Sequence, residues 1–428
     1  MPAKPSKYRP RIADDLLRLK LSAMGAVLVE GAKWCGKTTT CEQQAKSALY
    51  MGMPERRKEY LALAELDIGK LLAGDSPRLI DEWQDAPQFW DAIRFRVDRD
   101  GEPGRFILTG SAVPPSAESI SHSGTGRFAR LRMRPMSLWE SGESSGEVSL
   151  ASLFSGQPFV SASARELTLD EVAFLICRGG WPQVVGRTGA VALVTAQEYV
   201  EGVVESDVFR LEHVPRSPDR MRRLLRSCAR LQGTPAGLSI VRRDMAANDT
   251  RELDEDTIQT YVNALKRIFV IEDLGAWCPS LRVKGAIRTT DTRFFVDPSI
   301  AAAALGIGPG NLQSDLRSFG LFFEALAIRD LRVYADALRG HVEKYYDKTG
   351  LECDAVLHLP DGKYALVEIK LGGTTLIGEG IATLDRLTRL IQGKGIPAPS
   401  FRMVLTATGG FAYQEQGVII CPLSCLKP

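Results

Sequence analysis

Gly31-Ala32-Lys33-Trp34-Cys35-Gly36-Lys37-Thr38 decides the fold. It fits the phosphate-loop pattern G-x-x-x-x-G-K-[ST], and its surroundings are the ones that pattern needs. Ala26-Val27-Leu28-Val29 ahead of it is a continuous apolar run, as in a strand buried on both faces of a parallel sheet. Thr38 to about Leu49 behind it suits a helix. Gly31 and Gly36 let the backbone curl so that amide N–H groups point inward, and the start of the helix adds partial positive charge. Lys37 is expected to reach the β- and γ-phosphates. Thr38 is expected to hold Mg²⁺ through its hydroxyl, with Thr39 beside it in the nucleotide site. The bland reading is a Gly-rich turn without a ligand; the strand before and the helix after weigh against it.

Working outward, strands and helices alternate as in a doubly wound α/β sheet. Residues 1–20 suit a leader and a short helix with Leu16, Leu17 and Leu19 on its apolar side. Tyr60–Leu63 reads as a second strand, Leu79-Ile80 as a third, Phe89–Arg99 as a helix and Phe106–Thr109 as a fourth strand. Asp81-Glu82 closes the third strand, about 45 residues beyond the loop, in the manner of a Walker B pair. Asp81 would hold the hydrated Mg²⁺ and Glu82 would orient or deprotonate the attacking water. The order of strands is expected to set this strand beside that of the phosphate loop. Thr109-Gly110-Ser111 ends the fourth strand, where Ser111 is placed to sense the γ-phosphate. Arg127, after Gly124-Thr125-Gly126, is a candidate for stabilising charge on the transferred phosphoryl group, in its own subunit or a neighbour. A solvated arginine is the competing reading.

Gly31–Thr38, Ile80-Asp81-Glu82-Trp83-Gln84, Leu108–Ser111, Gly126-Arg127 and Gly180-Trp181-Pro182 occur in that order. Together they resemble a bacterial and archaeal family of AAA-type P-loop ATPases. Members carry a helical or winged-helix segment and a C-terminal domain of unknown function, and the resemblance covers nearly the whole chain. It implies ATP as ligand and ATP hydrolysis as activity. Trp34-Cys35 departs from the polar pair usual inside the loop, and the strand before Asp81 is less apolar than is common; neither removes a catalytic group.

Three domains are expected: a P-loop domain over 1–150, a helical and winged-helix-like region over 151–310, and an α/β domain over 311–428. The Ser/Gly-rich stretch Ser141–Gly156 marks the first boundary. The best helix of the middle region runs from about Asp256 to Phe269, with Ile258, Tyr261, Val262, Leu265 and Ile268 on one face. From Ser318 onward a helix (Leu321–Val333), three strands in quick succession (Val342–Tyr346, Leu351–Leu359, Tyr364–Lys370), a helix (Ala382–Ile391) and two strands (Met403–Thr406, Val418–Cys421) are expected.

Glu368 and Lys370 share one face of their strand because side chains alternate with period two, and Glu324 is a carboxylate among apolar neighbours. With Asp354 on the preceding strand, this arrangement resembles the PD-(D/E)XK nuclease fold, the restriction-endonuclease-like core. The resemblance implies Asp354 and Glu368 as ligands of Mg²⁺ or Mn²⁺, Lys370 as the catalytic lysine and Glu324 as a helper at the metal. Glu352-Cys353 replaces the usual proline before the aspartate, which weakens the motif. E-x-K is common on exposed strands, and an inactive nuclease-like domain that only grips a partner is the competing reading.

Composition excludes other classes. Apolar residues make up 44% and charged residues 25%, as in globular proteins, and a formal net charge of +2 advertises no nucleic-acid-binding field over the whole molecule. Eight Cys and four His without metal-type spacing read as reduced thiols in a cytoplasm. No stretch reaches bilayer-spanning length, and no signal peptide is visible. Arg222, Arg226 and Arg230 form a basic stripe that suits either phosphate contact or a solvated face. Two function classes follow. The first is an ATP-hydrolysing protein coupled to a nuclease-like domain acting on branched or broken DNA. The second is a non-cutting ATP-dependent regulatory switch, of toxin–antitoxin or defence type, that binds a protein or nucleic-acid partner. Oligomer formation is compatible with both.

Overall fold

In the computed structural model the described residues are 8–110, 124–211, 217–247, 254–278 and 291–428. They form two compact units: Met1–Pro135 with the short segments Arg210–His213 and Ala264–Phe269, and the remainder.

The first unit holds β1 (Ala26–Gly31), β2 (Ser47–Tyr50), β3 (Arg78–Asp81), β4 (Phe106–Gly110) and β5 (Phe128–Met133), all parallel, in the order β2-β3-β4-β1-β5. Its helices are α1 (Ile12–Ala23), α2 (Lys37–Glu42), α3 (Arg57–Leu66), α4 (Ile68–Leu71) and α5 (Gln88–Asp100). The apolar run in β1 feeds both faces of the sheet. Ala26 and Leu28 join a core with Leu108, Ile80, Trp83, Phe89 and Trp90, while Val27 and Val29 join another with Leu17, Leu21, Cys41 and Ile107. This is the period of two expected of a strand covered on both sides.

Three expectations are corrected here. Tyr60–Leu63 lies in α3, where Tyr60, Leu61 and Leu63 pack against the first of these cores; the second strand is Ser47–Tyr50. The helix after the loop stops at Glu42, which frees residues 47–50 to pair with β3. The Walker B strand does not adjoin β1, because β4 pairs with both and lies between them.

The second unit contains β6 (Val148–Ser149), β7 (Ser161–Ser163), the antiparallel pair β8 (Ile271–Leu274) and β9 (Thr292–Phe295), and β10 (His341–Tyr346), β11 (Glu352–His358), β12 (Tyr364–Lys370), β13 (Phe401–Thr406), β14 (Phe411–Glu415), β15 (Val418–Pro422) and β16 (Leu426–Lys427). Seven of these make one mixed sheet, β10-β11-β12-β13-β15-β14-β7. β10, β11 and β12 form an antiparallel meander; β12, β13 and β15 are parallel. Helix Thr374–Gln392 crosses from β12 to β13 and buries Ile381, Leu384, Leu387 and Ile391 against Val356, Leu366 and Val404. Helix Leu316–Ala337 precedes the meander. The helical middle is present: Pro218–Arg230, Leu238–Ala246 and Glu255–Arg267 run in succession to β8, with Ile258, Tyr261, Val262, Leu265 and Ile268 all buried. Because β7 pairs with β14, residues expected in a separate middle domain share a sheet with the C-terminal strands.

Candidate functional site

Backbone shape comes first in the phosphate loop. Gly36 is left-handed (φ 98°), and Gly31 (φ 155°) lies so close to the end of β5 that a β-carbon would fall 2.1 Å from the Met133 carbonyl oxygen. Trp34 also takes a left-handed conformation (φ 64°) and is 44% exposed at the loop's tip. Lys37 is 7% exposed, and its Nζ donates to the carbonyls of Gly31 at 2.8 Å and Ala32 at 2.9 Å. The ammonium is thus held inside the curl of the loop.

Thr38, in the first turn of α2, donates through Oγ1 to Asp81 Oδ1 at 2.8 Å. Thr109, at the end of the intervening β4, donates to the same oxygen. A hydroxyl and a carboxylate in contact are the oxygen donors that Mg²⁺ takes beside phosphate oxygens. Thr39 is half-buried, and its carbonyl accepts from Gln43 Nε2 at 3.0 Å. Glu82, just after β3, takes a left-handed conformation (φ 55°), and Gln84 Nε2 donates to its carboxylate. Burial, then the neighbouring Asp81 charge, push the Glu82 carboxyl above its ordinary range. Gln84 packs against Gly110, where a β-carbon would come within 2.7 Å of Gln84 Oε1. Ser111 lies outside the described residues.

Arg127 falls elsewhere. Phe128 pairs with Ala26 at the start of β1, so Arg127 stands at the opposite end of the strands from Gly31. Five residue steps of strand separate the two ends by about 16 Å. Its Nε donates to Asp98 Oδ1 at 2.7 Å. The reading in which Arg127 serves the site of its own subunit is therefore corrected, because the parallel register carries it to the far end.

In the second unit Asp354, Glu368 and Lys370 come together. Lys370 Nζ is 2.7 Å from Glu368 Oε2 and 3.4 Å from Asp354 Oδ2, and Asp354 Oδ2 also accepts the Ile369 N–H at 2.8 Å. Glu324 pairs instead with Lys344, Nζ to Oε1 at 3.0 Å, and that ammonium also donates to the Gly233 carbonyl. Burial pushes the Glu368 and Glu324 carboxyls up. Burial opposes both ammonium groups, but the surrounding carboxylates outweigh it and hold the lysines charged. Glu368 Oε1 is buried with no hydrogen-bond partner. Among the described residues, no group of three or more His, Cys, Asp or Glu side chains is disposed to hold a metal ion. The expected set of Glu324, Asp354 and Glu368 is thus divided between two lysines.

The arginine stripe is engaged by its own chain. Arg222 pairs with Glu201 and Glu205, Arg230 with Asp244, and Arg226 donates to the Ala304 carbonyl. No helix among the described residues is long and apolar enough to cross a membrane. Sequence reading missed Thr109, Gln84 and Lys344. Gln84 follows the acidic pair by two residues, and Lys344 stands between Val342 and the aromatic pair Tyr345-Tyr346; those were the available signals.

The profile of the AAA domain matches residues 24–141, and that of a domain of unknown function (DUF8612) matches residues 169–311. Uncharacterized proteins of Mycobacterium bovis and Mycobacterium tuberculosis are each 24% identical over 377 residues, covering 87% of this chain and 76% of theirs. Among solved structures, a Walker-type ATPase of Pyrococcus abyssi aligns at TM-score 0.39 and 13% identity, over 70% of this chain and 99% of that one. The Aeropyrum pernix ORC1 protein in complex with DNA aligns at TM-score 0.26 and 11% identity, over 70% and 93%. Residues 24–141 thus combine a match to the AAA domain profile with a parallel sheet and a phosphate loop whose Thr38 reaches Asp81, the fold of a P-loop NTPase.

Proposed function

We propose that the chain binds and hydrolyses Mg²⁺-ATP in its N-terminal unit and couples this to action on DNA by its C-terminal sheet, in a cytoplasmic setting. The observation that carries the reading is the 2.8 Å bond between the Thr38 hydroxyl and Asp81, with Glu82 next in the chain. Magnesium would be held by Thr38 and Asp81 and would neutralise phosphate charge. Lys37 would exchange its loop carbonyls for phosphate oxygens, and Glu82 would accept the proton of the attacking water. Arg127 retains a role only toward a neighbouring subunit, and Ser111 remains the proposed γ-phosphate sensor.

The C-terminal reading rests on the helix–meander–helix–strand order and on Asp354, Glu368 and Lys370 meeting at one end of β11 and β12. The unpartnered Glu368 Oε1 suits an added cation. Mg²⁺ or Mn²⁺ would be held by Asp354 and Glu368 and would supply an activated water and charge stabilisation at a scissile phosphate. Glu324, with Oε1 on Lys344, lies within the electrostatic reach of Asp354 and would act as the helper at the metal. The test uses linear, single-stranded and branched DNAs with each metal. Cleavage is expected from the wild type and lost in Asp354→Ala and Lys370→Ala, while ATP hydrolysis persists. A wild type that cuts none of them and binds no metal sinks the nuclease reading and leaves the regulatory switch.

A further inference from the structure

The phosphate loop is braced by a segment far from it in sequence. Arg11, immediately before α1, is 7% exposed. Its guanidinium forks between two carbonyls, Nη1 to Cys35 at 2.8 Å inside the loop and Nη2 to Arg134 at 2.8 Å just beyond β5. The Arg11 backbone N–H donates to Asp14 Oδ2 at 2.7 Å, and Tyr8 donates through its hydroxyl to Asp14 Oδ1 at 2.6 Å. The same tyrosine hydroxyl lies 3.1 Å from Thr40 Oγ1, in the helix that follows the loop. One short segment therefore grips the loop at Cys35 and its helix at Thr40.

The chemistry of phosphate binding gives these contacts a purpose. A loop that receives a triphosphate must aim its N–H groups at the ligand and turn its carbonyls away. The Cys35 carbonyl, taken by Arg11, cannot face a phosphate. A planar guanidinium fixes two acceptors in a defined relation, which a lysine ammonium does not. Burial of the charged fork also leaves a full positive charge behind the loop, on the side favourable to an anion. Arg11 lies upstream of the stretch 24–141 that matches the AAA domain profile.

We propose that Tyr8–Asp14 is a clamp that preorganises the phosphate loop for the triphosphate, with Arg11 as its positioning residue. The inference rests on the proposed ATP site. The experiment measures KM and kcat for ATP hydrolysis by the full chain in wild type, Lys37→Ala, Arg11→Ala, Arg11→Lys and Tyr8→Phe, with thermal melting of each. Arg11→Ala should raise KM by about tenfold or more while kcat changes less than about threefold, the pattern of lost ground-state binding. Millimolar guanidinium, but not urea, should restore most of the affinity of Arg11→Ala by refilling the vacated fork. Arg11→Lys should fall between, because one ammonium cannot bridge both carbonyls in the same plane. Tyr8→Phe, which leaves the Cys35 contact intact, should raise KM by about two- to fivefold.

A folded Arg11→Ala with unchanged KM, a loss confined to kcat, or equal effects of guanidinium and urea would overturn the clamp. Should Arg11→Ala fail to fold, an unchanged KM in Tyr8→Phe overturns it. A wild type without ATPase activity, or full activity in Lys37→Ala, instead refutes the ATP site on which the clamp rests.

Discussion

Replacing Glu82 by glutamine separates binding from turnover. The side chain keeps its length, and the amide oxygen can still accept from Gln84 Nε2, so the local hydrogen bond survives. Asp81 and Thr38 are untouched, so the affinity for Mg²⁺-ATP should stay within about threefold. What disappears is the carboxylate proposed to take the proton of the attacking water. Positioned general bases contribute about 10²–10⁴-fold, so kcat should fall by that factor, about 3–5 kcal/mol of barrier.

The stability of the variant supplies an internal control. Burial, then Asp81, hold the Glu82 carboxyl above its ordinary range, so its folded-state pKa exceeds the unfolded one. A carboxyl shifted this way binds its proton more readily when folded. Above that folded pKa its ionisation works against the folded state. Glu82→Gln should therefore melt at the wild-type temperature or higher near neutral pH. The assay pairs equilibrium binding of a fluorescent ATP analogue with phosphate release and differential scanning calorimetry. Wild-type turnover in a variant that binds normally would remove Glu82 from the chemistry. Lost binding with a lowered melting temperature would mean that the residue is structural.

Two further outcomes are expected. Arg329 is 3% exposed and pairs with Asp297 at 2.9 Å and Asp330 at 2.7 Å. Arg329→Met strands both carboxylates in the interior and should cost about 3–5 kcal/mol, read by calorimetry as a fall of roughly 5–8 °C in the melting of the second unit; a shift under about 2 °C would show that the buried pair contributes little. Arg127→Ala should leave ATP turnover within about twofold in dilute protein, since the arginine sits at the far end of the strands and its ion pair is exposed. A larger loss, recovered by mixing with Lys37→Ala chains, would establish service to a neighbouring subunit.

Local and contiguous features were legible in the sequence. An eight-residue loop, the apolar strand before it and the acidic pair after β3 state their geometry through residue type alone, because glycine conformations and strand burial are short-range demands. The central C-terminal strands β11, β12, β13 and β15 were readable for the same reason: each is largely a run of buried residues, and alternation alone puts Glu368 and Lys370 on one face, whereas the exposed β14 was not foreseen. What sequence misjudged was pairing over distance. Nothing local says that β4 lies between β1 and β3 or that β7 joins a sheet whose other strands come some 180 residues or more later; the helix at 57–66, rich in Ala, Leu, Glu, Lys and Arg, was legible and was misread. The site shows the same division. Sequence proposed Lys37, Thr38, Asp81 and Glu82, which the structure gathers around the loop, but strand register sent Arg127 to the other end of the strands, and tertiary packing gave Glu324 to Lys344 and Arg11 to the loop. Such contacts join groups as far apart as Arg11 and Arg134, and they are settled by which strand order buries the most apolar surface, a property of the whole chain and of no single segment.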